Sequence, residues 1–254
     1  MIADRIIAHR GASSLAPENT LAAVELAAAL GVRWIEVDMR LIGDGTPVIF
    51  HDERLERCTD GHGSVRDMDR SALRSLDAGS WFGPRFPAER VPLLGELLER
   101  CRRRGLGLNL ELKRSAGEPA EPIVAALAQA LAETPLADDR LLVSSFDEPL
   151  LAACREASAD WRLGLLVQSV PGDVIARAGA LAAVSVHCDW QRLTVEAATT
   201  VKEAGLDLYC YTANDPRAFQ HLWRWGVDGV ITDRPQDFLV MRGWEQRSPF
   251  AGLA

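Results

Sequence analysis

The sequence predicts a (β/α)8 TIM barrel, and three observations carry that expectation. Eight short apolar or β-branched runs alternate with longer helical patterns, as in folds that wrap a parallel sheet in helices. Gly31, Gly105, Gly205 and Gly226 each follow a helical pattern and precede a strand, the place of a helix-ending glycine. Polar side chains gather at the C-terminal ends of the first three barrel strands, the end where barrels of this kind carry chemistry. At 254 residues the chain has the usual size for one such barrel, so residues 1–254 are read as a single domain.

The first strand is 6–9, followed by an Ala-rich helix over about 20–30. The second strand is 33–39. Asp44-Gly45 is a hairpin signal, and 48–50 reads as a return strand. A return strand runs antiparallel to its predecessor, so it is placed outside the barrel, above its mouth. With Asp44 and Gly45 as the two turn residues, His51 lies directly opposite Asp38. The remaining barrel strands are 106–113, 140–144, 162–167, 183–187, 207–212 and 228–232. Asp147 and Asp215 read as N-caps, with Pro149 and Pro216 just inside their helices.

Residues 53–92 break the rhythm. They hold Asp60-Gly61-His62-Gly63 and the run 77–84, and are too long for an idle loop. Trp81, Phe82 and Phe86 argue for a packed segment. The stretch is read as a small insertion after the second strand that caps the active mouth.

Composition narrows the function classes. Apolar residues make up 48% and charged residues 25%, an ordinary globular balance. The net charge is −8 without a long Lys/Arg run, which argues against a nucleic-acid partner. The cluster Arg100, Arg102, Arg103 and Arg104 reads as the solvated last turn of a helix. The five cysteines are odd in number and lack CxxC spacing, so they read as free thiols in a reducing compartment. The start Met1-Ile2-Ala3-Asp4-Arg5 has no apolar leader, and segment 21–30 is too short to span a bilayer. A cytoplasmic protein without stable membrane association is expected. Oligomeric state is left open.

The chemistry-bearing residues share the barrel's active end. The first strand ends at His9-Arg10-Gly11. On the second, Glu36 and Asp38 share a face, because strand side chains alternate. On the third, Asn109, Glu111 and Lys113 share a face, with the intervening leucines toward the helices. Three inward carboxylates cannot all stay ionised uncompensated. A hard divalent cation, Mg2+ or Ca2+, suits Glu36, Asp38 and Glu111 better than zinc does. Arg10 and Lys113 add fixed positive charge, which with a metal makes a phosphate-binding set. His9 and His51 read as an acid–base pair. His187 is as readily structural as mouth-lining; His62 and His221 read as surface, and Trp223 and Trp225 as helix–barrel packing. Tyr211 and Asn214 follow the seventh strand. Tyr211 is placed at an alcohol pocket, with packing as the alternative.

At these residues the chain resembles the glycerophosphodiester phosphodiesterase family, in its compact bacterial cytoplasmic form. The matching motifs are His9-Arg10-Gly11, Pro17-Glu18-Asn19-Thr20, Glu36-Val37-Asp38, Asp44-Gly45 with His51-Asp52, Glu111-Leu112-Lys113, Tyr211-Thr212-Ala213-Asn214 and the run 226–233. They lie in order along nearly the whole chain. The resemblance implies hydrolysis of a glycerophosphodiester to sn-glycerol 3-phosphate and an alcohol. It implies His9 and His51 as the acid–base pair and Glu36, Asp38 and Glu111 as metal ligands. Arg10 and Lys113 would contact the phosphate. Tyr211 departs softly from the pattern, since many relatives carry Trp there, which bears on the glycerol pocket.

His9 is expected to deprotonate the attacking oxygen and His51 to protonate the leaving alkoxide. The attacker is either the glycerol 2-hydroxyl or water. Three other readings are weighed. One is a lysophospholipase D-like phosphodiesterase. Another is a non-catalytic sugar-phosphate-binding barrel, for which a site position should be lost. The third is a metal-dependent aldolase or isomerase, which two histidines beside a metal suit less well.

Overall fold

The computed structural model describes residues 5–87 and 89–245, with only the backbone at 242–245. The expectations for Met1–Asp4 lie outside the described residues. The elements run β1 (Ile6–His9), α1 (Leu21–Ala29), β2 (Trp34–Leu41), β3 (Pro47–Ile49), α2 (Arg70–Ser75), α3 (Leu94–Arg104) and β4 (Gly107–Leu112). They continue with α4 (Ala120–Glu133), β5 (Leu141–Ser145), α5 (Glu148–Ala157), β6 (Leu163–Val167), α6 (Val174–Ala180) and β7 (Ser185–Asp189). The last are α7 (Val195–Glu203), β8 (Asp207–Tyr211), α8 (Pro216–Arg224), β9 (Gly229–Thr232) and α9 (Pro235–Glu245).

Each parallel strand pairs with the next, and β1 pairs with both β2 and β9, which closes an eight-stranded (β/α)8 TIM barrel. The antiparallel β3 hangs on the end of β2, outside that ring. Local chemistry ends the helices as the sequence implies. Thr20, Asp147 and Asp215 accept N-cap bonds from Ala23, Leu150 and Arg217 N–H groups. Gly31, Gly105, Gly205 and Gly226 all have positive φ.

The β2–β3 register differs from expectation by one residue. Ile42 N–H bonds Thr46 O at 3.1 Å, so the loop is residues 43–45 and not a two-residue turn. Gly45 takes the left-handed conformation (φ 83°) that closes such a three-residue loop. Phe50, not His51, therefore stands opposite Asp38 and donates to its carbonyl at 2.9 Å. Alternation sends Val48 and Phe50 into an apolar cluster, while His51, one residue on, lines the cavity at the barrel mouth.

Leu108, Leu110 and Leu112 pack between strands and helices in the main core. Each fully buried leucine there contributes roughly 1.5–3 kcal/mol. Inside the barrel, Ile7, Trp34, Leu142, Tyr209 and Ile231 fill the lower layer. Gly107 makes room for Trp34: a Cβ there would lie 2.2 Å from the indole. Above this filled floor a cavity opens at the C-terminal ends of the strands.

The insertion has a small core of its own, from Leu55, Cys58, Val65, Leu73, Ala78 and Val91 against Ile42, Val48 and Phe50. These aliphatic groups carry its packing. Trp81, Phe82 and Phe86 touch edge to face, and Trp81 is exposed. All five cysteines are free and buried. Among the described residues no helix is long and apolar enough to cross a membrane.

Candidate active site

The site begins where β1 ends. Arg10 has a positive φ of 56°, costly for a side chain of its size. Its N–H is held by the Glu36 carbonyl at 2.7 Å and by Glu36 Oε2 at 3.2 Å. Asn19 has the same φ of 56°, and its N–H donates to Arg10 O at 3.0 Å. The Asn19 amide donates to Asp38 Oδ2 at 2.8 Å and accepts from Asp38 N–H at 3.2 Å. Two strained residues thus brace each other and the acidic cluster.

Parallel register assembles the carboxylates. Asp38 stands beside Glu111, and Glu36 lies between His9 and Asn109. One oxygen from each of Glu36, Asp38 and Glu111 falls within 4.8 Å of the others. All three are buried. Burial, then the Asp38 charge, pushes Glu36 up to about 8. Glu111 is pushed up for the same reasons. Burial opposes ionisation of Asp38 too, but Lys113 and Arg10 hold it well below the usual range. Arg10 Nε lies 3.1 Å from Asp38 Oδ2, and Lys113 Nζ lies 3.2 Å from its Oδ1. The trio is therefore short of positive charge. Glu36 Oε1 is buried without a hydrogen-bond partner. These hard oxygen donors fit a divalent cation.

A carboxylate backs each histidine. His9 Nδ1–H donates to Asp233 Oδ1 at 2.6 Å, and Asp233 also accepts from Ser13 and Asn214. His9 Nε2 is left 3.8 Å from Glu36 Oε2. His51 Nδ1–H donates to Asp52 Oδ1 at 2.6 Å, and Arg40 holds the His51 carbonyl at 2.8 Å. Burial lowers His9, but the Asp233 hydrogen bond and the Glu36 charge more than offset it, so its pKa is raised. For His51 burial, with Arg10 and Lys113 nearby, outweighs Asp38, and its pKa is lowered.

His9, Arg10, Glu36, His51, Glu111, Lys113 and Tyr211 all line one cavity of about 140 Å³, with Asp38 buried behind it. Tyr211 offers its ring, because its hydroxyl donates to the Val167 carbonyl at 2.7 Å. Half-exposed Phe146 meets that ring edge to face. His187 lies below, buried beside Ser185, and burial brings its pKa down to about 3. His62 and His221 are exposed. Trp223 and Trp225 pack against the core.

Sequence reading assigned no task to Asp233, Asp52, Glu18 or Asn19, although all four stand inside the quoted motifs. The available signal is position: Asp52 follows His51 directly, and Asp233 follows the last barrel strand. Asn109 and Ser144 line the cavity floor with buried polar atoms that have no partner.

Residues 9–237 match the model of the glycerophosphoryl diester phosphodiesterase family. The chain is 34% identical to the glycerophosphodiester phosphodiesterase of Caldanaerobacter subterraneus over 94% of its own length and 98% of that protein's. It superposes on the structure of an Oleispira antarctica phosphodiesterase in complex with the product sn-glycerol-3-phosphate. That match has a TM-score of 0.92 at 37% identity and covers 94% of this chain and 97% of the other. An Agrobacterium tumefaciens glycerophosphodiester phosphodiesterase matches with a TM-score of 0.80 at 29% identity, over 93% and 99% of the two chains. The chain belongs to the glycerophosphoryl diester phosphodiesterase family and is a phosphoric diester hydrolase of that class.

Proposed function

We propose that this cavity hydrolyses glycerophosphodiesters to sn-glycerol 3-phosphate and an alcohol. The observation that carries the reading is a buried carboxylate trio flanked by two carboxylate-backed histidines and two cations in one cavity. The product bound by the Oleispira relative supports the substrate class.

Glu36, Asp38 and Glu111 would hold Mg2+ or Ca2+, which supplies Lewis-acid polarisation of a phosphoryl oxygen. Arg10 and Lys113 bring two fixed positive charges to the diester phosphate. Asp233 and Asp52 each fix a ring orientation by holding Nδ1–H, which leaves both Nε2 atoms for proton transfer. His9 is assigned the proton of the attacking oxygen and His51 the leaving alkoxide. Exposure favours that division, since the His9 side chain is 18% exposed and the His51 side chain 34%, nearer the solvent into which the alcohol departs. The raised His9 pKa and lowered His51 pKa favour the reverse, and a cation held by Glu36 would cancel the charge that helps raise His9. The Tyr211 ring forms one wall for the organic part of the substrate.

The barrel is read as the single catalytic domain, with the 53–92 insertion capping its mouth. Among described residues the insertion lends no side chain to the cavity lining; it reaches the site through Arg57.

Purified protein with a divalent ion should release sn-glycerol 3-phosphate and choline from glycerophosphocholine, followed by product chromatography. Release of choline from lysophosphatidylcholine at an equal or higher rate would favour the lysophospholipid reading instead. No release from any glycerophosphodiester would remove the main one.

A further inference from the structure

Arg57 stands between Leu55 and Cys58, both buried in the insertion's small core, so its backbone is anchored while its side chain projects outward. Its Nη1 and Nη2 donate to Glu18 Oε2 and Oε1 at 2.7 and 2.8 Å. Its Nε and Nη2 donate to Asp52 Oδ2 and Oδ1 at 2.6 and 2.9 Å. One guanidinium thus grips two carboxylates in forked geometry, which an ammonium cannot do.

Each carboxylate in turn holds a cavity side chain. Asp52 Oδ1 accepts from His51 Nδ1 at 2.6 Å. Glu18 Oε1 accepts from Arg10 Nη1 at 2.6 Å. A continuous chain therefore runs Arg10–Glu18–Arg57–Asp52–His51, with its middle link supplied by the insertion. Without that link, Asp52 and Glu18 are free to leave the orientation in which they hold His51 and Arg10.

We propose that Arg57 is a positioning residue for the hydrolysis: it fixes His51 through Asp52 and Arg10 through Glu18, making the folded insertion part of the active site. The proposal rests on the reading of His51 and Arg10 given above. Stability and activity should respond differently. The Arg57 side chain is 46% exposed, so solvent screens its pairs in part, and losing this forked network should cost folding only a modest amount. A small misplacement of a reacting group, by contrast, costs up to about 10²-fold in rate.

The test compares kcat and KM on glycerophosphocholine for wild type, Arg57→Ala and Arg57→Lys, with thermal unfolding in parallel. Arg54→Ala is the control, because among the described residues Arg54 pairs with exposed Glu56 and with no cavity residue. Arg57→Ala should lower kcat about 10–100-fold with at most a small drop in melting temperature. Arg57→Lys should recover part of the loss, and Arg54→Ala should match wild type. In an Asp52→Asn background Arg57→Ala should cost clearly less than it does alone, because both act on His51 by one route. A wild-type kcat for Arg57→Ala beside an inactive His51→Ala would overturn the proposal alone, as would full additivity with Asp52→Asn or a loss that merely tracks unfolding. A fully active His51→Ala would overturn the underlying reading, and the proposal with it.

Discussion

Glu36→Gln should abolish turnover while making the metal-free protein more stable at alkaline pH. Removing one of three anionic ligands forfeits several kcal/mol of charge stabilisation at the phosphoryl group, a factor of roughly 10³ or more in rate. The stability effect has the opposite sign. In the fold, burial and the Asp38 and Glu111 charges raise Glu36 to about 8, against an ordinary value of 4.5. Below about 4.5 the carboxyl is neutral in folded and unfolded chains alike, and its folded-state contribution is fully present. As pH rises toward 8 the unfolded chain gives up the proton and the folded one keeps it, so stability drains away at up to ~1.4 kcal/mol per pH unit. Glutamine has no proton to lose. The variant should therefore gain over wild type between about pH 4.5 and 8, by a few kcal/mol at the upper end. Urea unfolding at pH 5 and pH 8.5 with chelator reads the difference, and equal midpoint shifts at the two pH values would contradict it.

His51→Ala should separate substrates by their leaving group. Choline leaves as an alkoxide that needs a proton, whereas p-nitrophenolate leaves near neutral pH without one. Loss of the general acid should cost about 10²–10⁴-fold on glycerophosphocholine and far less on a p-nitrophenyl diester. His9→Ala, which removes the proposed base, should cost similar factors on both. Equal losses on both substrates for His51→Ala would remove the leaving-group assignment. The converse pattern, with His9 sensitive to the leaving group, would exchange the two roles.

The barrel was legible because its strands are buried on both faces and read as apolar runs separated by helical patterns, four of which end in a glycine stop at Gly31, Gly105, Gly205 and Gly226. Glu36, Asp38, Glu111 and Lys113 stood out for the same reason: charged side chains in such strands need partners or a task. The hairpin register was not legible. Asp44-Gly45 suits a two-residue turn as well as the three-residue loop found: the two-residue type I′ turn needs positive φ at both residues, and here Gly45 has it while Asp44 does not. His51 reached the cavity by lying past the end of β3, not by cross-strand pairing with Asp38. The insertion's core was hidden because Leu55, Cys58, Val65 and Leu73 follow no strand or helix period. Arg57 was hidden because its partner Glu18 lies 39 residues away in sequence. The supports of the site are tertiary, and only their motif neighbours were visible in the chain.

The proposed chemistry depends on Glu36, Asp38 and Glu111 binding one divalent ion. Its most direct test is glycerophosphocholine turnover by chelator-treated protein while Mg2+ or Ca2+ is titrated back, with bound ion measured on the same samples. No turnover is expected without the ion, with recovery in step with a single bound ion per chain and neither binding nor recovery in Glu36→Gln. Full turnover in excess chelator with no ion bound would contradict it.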